Sequence, residues 1–309
     1  MSVYAVERVR QLMDWRLNRA LEPLILASPV IERVEGWLED EASRAAFRRE
    51  LSFMVLRGLL RDDAAAIAHS GNISAADWNK ALDAAGDRVR SGDIPSLVYP
   101  PSPDWMVPYL NASTFVLEQY RSGEEVSIRA GDVVLDCGAF CGETAVWAAR
   151  QGAERVYCFE PNPQTLPYLR RNLELYAPGV AEVVPLALGE APGRMEIVAE
   201  AANPGGSRLV GPDSGGAEVE VTTLDAWCEE NQVKPDYIKM DLEGAEPAAL
   251  KGARRILEGG PRLAISLYHN LSDMWVIPAL IKELRPDYRF WCRKNAILVE
   301  FVLYGAVRT

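Results

Sequence analysis

Over the first ninety or so residues, apolar side chains recur every third or fourth position. Val6, Val9, Met13, Leu17, Leu21 and Leu24 form one series, and Ile31, Leu38, Phe47, Leu51, Val55 and Leu59 continue it. That spacing gathers apolar groups on one face of a helix. The stretch GNISAADWNKAL predicts a further helix, with Ser74 as its N-cap and Asp77 three residues on. Residues 1–95 are therefore expected to be a helical region, serving as a core, a dimerisation surface or a cap over a site. The segment SGDIPSLVYPPSPDW (91–105) is rich in Pro, Gly and Ser and ends the helical pattern. It opens a linker and lead-in segment, taken as 96–125.

From 126 to 309 the pattern changes to short apolar runs. DVVLDC, RVYCFE, AEVVPLAL, DYIKMD and RLAISLYH are mostly separated by helix-like stretches such as NPQTLPYLRRNLELY. Near-continuous apolar strands alternating with helices predict a parallel sheet covered on both faces. YRFWCR and ILVEFVLYG lie only a few residues apart near the end of the chain, too close for an intervening helix, and predict an antiparallel hairpin. The expected fold class is α/β, Rossmann-like, mostly parallel with a C-terminal antiparallel hairpin, plus the N-terminal helical region.

Composition narrows the classes of partner. The 309 residues are 49% apolar and 25% charged, with 33 basic against 44 acidic side chains and a net charge of −11. This is an ordinary globular composition. No apolar stretch approaches the roughly 20 residues of a membrane span, and the first segment lacks the apolar core of a signal peptide. With no Lys/Arg block the chain offers little to a phosphate backbone. The expectation is a cytoplasmic protein with neither membrane nor nucleic acid as partner, acting on a small molecule. The five cysteines show no CxxC pairing, which argues against a disulfide framework or structural zinc. Cys137 and Cys141 are either a redox pair or small residues packing a tight loop. Two histidines, His69 and His269, exclude a multi-histidine metal centre.

Ligands of open α/β sheets bind beyond the carboxyl ends of the strands. Asp136, Glu160, Asp241 and His269 end four of the apolar runs and so share one sheet edge. DCGAFCGETA places Gly138 and Gly142 four apart, unlike the GxGxxG of dinucleotide binders. Asp136 and Glu143 flank this loop, which suits a cationic or hydroxyl-bearing ligand better than a pyrophosphate. Glu160, 22 residues beyond Gly138, is placed to take both ribose hydroxyls. A ribose, a sulfonium and an ammonium all belong to S-adenosylmethionine.

These stretches resemble the FkbM-type family of S-adenosylmethionine-dependent methyltransferases, over about residues 112–305. GDVVLDCGAFCGETA is similar to the family's first cofactor motif and VYCFEPNP to its ribose-binding strand end. VTTLDAWCEENQVKPDYIKMDLEGAEPAALKGA (221–253) is the most specific match, and LAISLYHNLSDMWVIPALIKEL resembles the fifth-strand segment of a bacterial subgroup. The segment after FWCR lacks the histidine-bearing tail of that subgroup. The resemblance implies a class I methyltransferase sheet. It implies that Asp136, Gly138, Glu160 and Asn162 serve the cofactor, and the neighbouring Ala139, Phe140, Gly142, Glu143, Thr144 and Pro161, with Asp241, are the further cofactor-binding candidates. It also implies that Lys239, Asp241, Glu243 and His269 line the reaction centre. The family is associated with methylation of hydroxyls in natural products and saccharides, so a small hydroxyl acceptor is expected.

A weakly acidic alcohol needs a base as its proton leaves. His269 is the first candidate, because imidazole has a pKa of ~6.5; otherwise it is a helix cap. Asp241 would orient it or act as base. Lys239 is either a catalytic amine with a lowered pKa or the counter-ion of Asp241, two residues along the same strand face. Asp241 with Glu243 would alternatively hold Mg2+. NPGGSRLVGPDSGG (203–216) reads as a disordered hairpin loop or a mobile lid. The competing functions are N-methylation of a nucleobase, NAD-dependent oxidoreduction and a non-catalytic interaction protein. DLEG at 241–244 lacks the Pro-Pro-aromatic run of the first, and the loop glycines argue against the second. A homodimer through the N-terminal helices is the expected assembly, if there is one.

Overall fold

In a computed structural model the described residues are 24, 26–60, 73–200, 203–211, 213–296 and 300–308. In chain order the strands are β1 Val133–Cys137, β2 Arg155–Phe159, β3 Ala181–Val184, β4 Ala187–Leu188, β5 Gly193–Glu200, β6 Asn203–Val210, β7 Ala217–Thr222, β8 Tyr237–Met240, β9 Arg262–Ser266, β10 Tyr288–Arg293 and β11 Val302–Val307. Seven of them make the main sheet, ordered β10-β11-β9-β8-β1-β2-β3. The pairings from β9 through β8, β1 and β2 to β3 are parallel. Only β11 opposes them, pairing antiparallel with β10 on one side and β9 on the other.

Strand residues alternate between two cores, as a sheet covered on both faces requires. Val134 and Tyr237 pack on one side with Ala145, Val146 and Phe115. Leu135, Cys137, Ile238 and Met240 pack on the other with Leu224, Leu250 and Ile277. This order, parallel from β9 to β3 with helices on both faces, makes a Rossmann-like sheet. All five cysteines are free and buried, and burial pushes the thiols of Cys137 and Cys141 up, so they fill the core rather than form a redox pair.

The run 181–188 does not form one strand. Pro185, which has no N–H to donate, divides it into β3 of the main sheet and β4 of a second sheet ordered β4-β7-β5-β6. Most of the Gly/Pro-rich stretch, expected as a disordered loop or lid, is strand β6, held antiparallel to β5 by backbone pairing. Segment 96–125 also carries structure: helix Met106–Asn111 runs into a π-helical turn at Ala112–Val116.

The series at Val6–Leu21 and His69 lie outside the described residues. A helix at 26–37 and another at Glu41–Leu60 are broken at 38–40, where Leu38 forms a bridge to Phe290 of β10. The second helix lies along β10 and covers the edge of the sheet. Lys294 pairs with Glu50 at 2.8 Å, both fully buried, and Arg293 reaches Asp40 at 2.8 Å. Helix Ala75–Arg90 is capped by Ser74, which accepts from the Asp77 amide, and its Trp78, Ala81 and Ala85 join the sheet's own core. Among the described residues no helix is long and apolar enough to cross a membrane.

Candidate functional site

The carboxyl ends of β1, β2, β8 and β9 open into a cavity of about 570 Å³, with a narrower compartment beside it. After β1 the chain turns through Gly138 (φ +83°), Phe140 (φ +46°) and Gly142 (φ +92°) before entering helix Glu143–Arg150. A Cβ at Gly138 would stand 1.8 Å from the Asp241 carbonyl oxygen, so only glycine lets the loop pass under β8's end. Gly142 serves packing instead of the cavity, lying against Leu169 and Leu173.

The buried carboxylate of Glu160 accepts from the Phe140 amide (3.0 Å) and the Asn162 amide (2.8 Å), which fixes the glycine loop to the end of β2. Burial pushes its pKa up to about 7. Glu160 and Pro161 line the narrower compartment with Phe159, Leu186, Leu188, Ile197 and Leu209. Asn162 is not part of that lining; its side chain donates to the Ser207 hydroxyl of β6 at 2.8 Å. On the far side of the loop, Ala139, Glu143 and Thr144 line the larger cavity. Burial lifts Glu143 to about 7 as well.

Asp136 and Lys239 are register partners on adjacent strands and form a buried ion pair at 3.1 Å. The Lys239 amine also donates to the Gly138 carbonyl at 2.5 Å. Burial alone would lower its pKa, but the charges of Asp136 and Asp241 hold it above the usual lysine value. Lys239 is thus neither a lowered-pKa amine nor the exclusive counter-ion of Asp241. It anchors the loop from below. Asp136, fully buried beneath the loop, does not reach the cavity wall.

Asp241 receives the hydroxyls of Tyr120 (2.9 Å) and Tyr268 (3.0 Å). His269 Nε2 lies 3.3 Å from Asp241 Oδ1 and 3.6 Å from Glu243 Oε2, while Nδ1 lies 2.9 Å from Glu246 Oε1. Burial opposes a charge on this ring, yet Glu246, Glu243 and Asp241 together hold its pKa well above the ordinary 6.5. Asp241 is lowered despite its burial, because His269 and Lys239 lie close by. Glu243, in a left-handed backbone conformation (φ +53°), is raised by burial. The protein's own charges therefore favour an imidazolium, in contrast to the untuned base expected from sequence.

The other wall is built by segment 105–120, with Trp105, Met106, Tyr109, Thr114 and Tyr120, and by Glu300, to which the Tyr109 hydroxyl donates. β6 closes the top with Gly205, Gly206 and Arg208. None of Tyr120, Glu246, Trp105, Glu300 or Arg208 was singled out by the sequence. Glu246 and Tyr268 sit inside the quoted motif stretches and were within reach of a positional reading. Tyr120, Glu300 and Arg208 carry no local signal.

A methyltransferase FkbM domain pattern matches residues 136–290, half of the chain. Hexuronic acid methyltransferase AglP of Haloferax volcanii is 33% identical over 132 residues, covering 41% of this chain and 52% of that protein. The chain thus spans about half the length of this curated relative. The crystal structure of a methyltransferase FkbM from Methylobacillus flagellatus KT superposes with a TM-score of 0.60 at 24% identity, over 92% of this chain and 60% of that one. The latter likeness concerns the fold.

Proposed function

Since the chain belongs to the methyltransferase FkbM family, we propose that it is an S-adenosylmethionine-dependent O-methyltransferase acting on a hydroxyl of a saccharide or small natural product. One observation carries this reading: a buried carboxylate of ribose-binding type and a carboxylate–imidazole cluster flank the same glycine loop. The cofactor suits the residues present. Glu160 keeps lone pairs for ribose hydroxyls, the compartment of Phe159, Leu186, Leu188 and Ile197 offers apolar walls to a purine, and Glu143 and Asp241 offer charge to cationic groups. When bound, S-adenosylmethionine supplies a methyl group activated by a sulfonium.

The remaining work falls to the chain's own side chains. Tyr120 and Tyr268 hold Asp241 in place, and Glu246 holds the Nδ1 side of His269, leaving Nε2 turned toward Asp241 and Glu243. A further positive charge in this cavity would oppose the imidazolium and favour neutral imidazole. With its Nδ1–H donated to the Glu246 carboxylate, neutral His269 then accepts the acceptor's hydroxyl proton at Nε2. Walls at 105–120 and β6 bound the larger cavity and would hold the acceptor in line. The ligand atoms of Asp241, Glu243 and His269 lie within 4.8 Å of one another, but one imidazole among two carboxylates is not the all-oxygen set that Mg2+ prefers. No step is assigned to a metal.

The name of the Haloferax relative, a hexuronic acid methyltransferase, supports a saccharide among the acceptors. Calorimetry with S-adenosylmethionine, its demethylated product and NAD tests the reading. Binding of the first two is expected, weakened by Glu160→Ala, whereas His269→Ala should cut turnover with cofactor affinity nearly intact. Binding of NAD alone, or of nothing, would overturn it.

A further inference from the structure

Strand β6 divides the two compartments, and its side chains alternate between them. Ser207 and Leu209 line the narrower compartment with Glu160, whereas Gly206 and Arg208 line the larger cavity. Arg208 is solvent-accessible, and no carboxylate among the described residues pairs with its guanidinium. The other cationic groups in the cavity wall are committed, Lys239 to Asp136 and the His269 ring to Asp241, Glu243 and Glu246. Facing Arg208 is a wall rich in acid: Glu143, Asp241, Glu243 and Glu300. A neutral acceptor has no use for a lone guanidinium there. An anionic one would be opposed by these like charges unless a cation such as Arg208 offset them.

The cavity also holds Trp105, 52% exposed despite its size and set edge-to-face on Tyr109 at 6.0 Å between ring centroids. An exposed indole at a cavity wall offers a flat apolar surface with a polar edge, which matches a sugar ring with its C–H face on one side and hydroxyls around the rim.

We propose that the acceptor is an acidic sugar whose carboxylate is held by Arg208 and whose ring lies on Trp105. The planar guanidinium fork matches a carboxylate in bidentate fashion, which a lysine would not reproduce. This assignment rests on the methyltransferase reading above and narrows it to a substrate class.

The probes are methyl β-glucuronide and methyl β-glucoside, titrated by calorimetry into the full chain saturated with S-adenosylhomocysteine. The two differ only in the carboxylate. The glucuronide should bind about tenfold or more tightly, as expected for one charge-assisted pair. Arg208→Gln should bring the two sugars to within about twofold, and Arg208→Lys should retain only part of the preference. Trp105→Ala should weaken both sugars alike. Equal binding of the two sugars, or a preference untouched by Arg208→Gln, would overturn the proposal, as would failure of both sugars to bind the loaded protein. If Arg208→Gln instead weakens S-adenosylhomocysteine and leaves the sugars unchanged, the carboxylate it serves is the cofactor's and the proposal is also wrong. Failure of the chain to hold S-adenosylhomocysteine would sink the methyltransferase reading itself, a separate outcome.

Discussion

Cofactor binding should be linked to proton release. Glu160 and Glu143 are both buried and both lifted from an ordinary 4.5 to about 7, chiefly by loss of solvent. A cationic cofactor with ribose hydroxyls requires both as carboxylates. At pH 6 a group with a pKa near 7 is only about one-tenth ionised, so each such carboxylate weakens affinity about tenfold relative to pH 8. Two acting together weaken it about a hundredfold. The sign for the unliganded protein follows from the same shift. Because the folded pKa lies above the unfolded one, the penalty is absent below about pH 4.5 and grows as the pH rises toward 7. Each group then subtracts about 3 kcal/mol from stability at pH 8. Affinity and unliganded stability should therefore move in opposite directions with pH. Calorimetric titration of S-adenosylmethionine from pH 5.5 to 7.5, in buffers of differing ionisation enthalpy, counts the protons. Glu160→Gln should remove about half of the pH dependence. An affinity flat across this range, with no proton released, would refute the linkage.

Three further outcomes test separate parts of the molecule. Gly138→Ala forces a Cβ to 1.8 Å from the Asp241 carbonyl oxygen and should abolish cofactor binding, with a loss of more than about 2 kcal/mol in denaturant unfolding. Glu246→Gln removes a carboxylate 2.9 Å from His269 Nδ1, so the acid limb of the kcat profile should shift to lower pH, and an unmoved limb would remove His269 as the base. Lys294→Met removes the 2.8 Å ion pair to buried Glu50 and should cost about 3–5 kcal/mol, whereas the double change with Glu50→Leu should recover most of that in thermal melts.

What could be read from the sequence was what short-range pattern encodes. Strand runs such as 133–137 and 155–159 are apolar on both faces because the sheet is covered on both faces, and their terminal polar residues mark its functional edge. The glycine spacing at 138 and 142 was visible because positive φ restricts the residue type. Less visible was everything decided by partners far along the chain. Lys239 looked available beside Asp241, but the strand register sets it against Asp136, about a hundred residues earlier. His269 looked like an untuned imidazole until three carboxylates converged on it. Segment 203–210 carries side chains that argue against a strand, and only backbone pairing with β5 makes it one. Pro185, which splits a single apolar run between two sheets, is the signal that a closer reading would have used.

The alternation of β6 makes its length unforgiving. Because odd and even positions answer to different compartments, deleting or inserting one residue ahead of Ser207 would exchange them. Arg208 would swing toward the apolar compartment beside Glu160, and the hydroxyl that meets Asn162 would turn toward the larger cavity. Substitutions at 206 and 208 would alter the larger cavity without touching residues 207 and 209, whereas a single-residue indel would damage both sides at once. Among sequences sharing this arrangement, diversity along the strand should therefore appear as replacement at alternate positions, with changes in length confined to the turns at its ends.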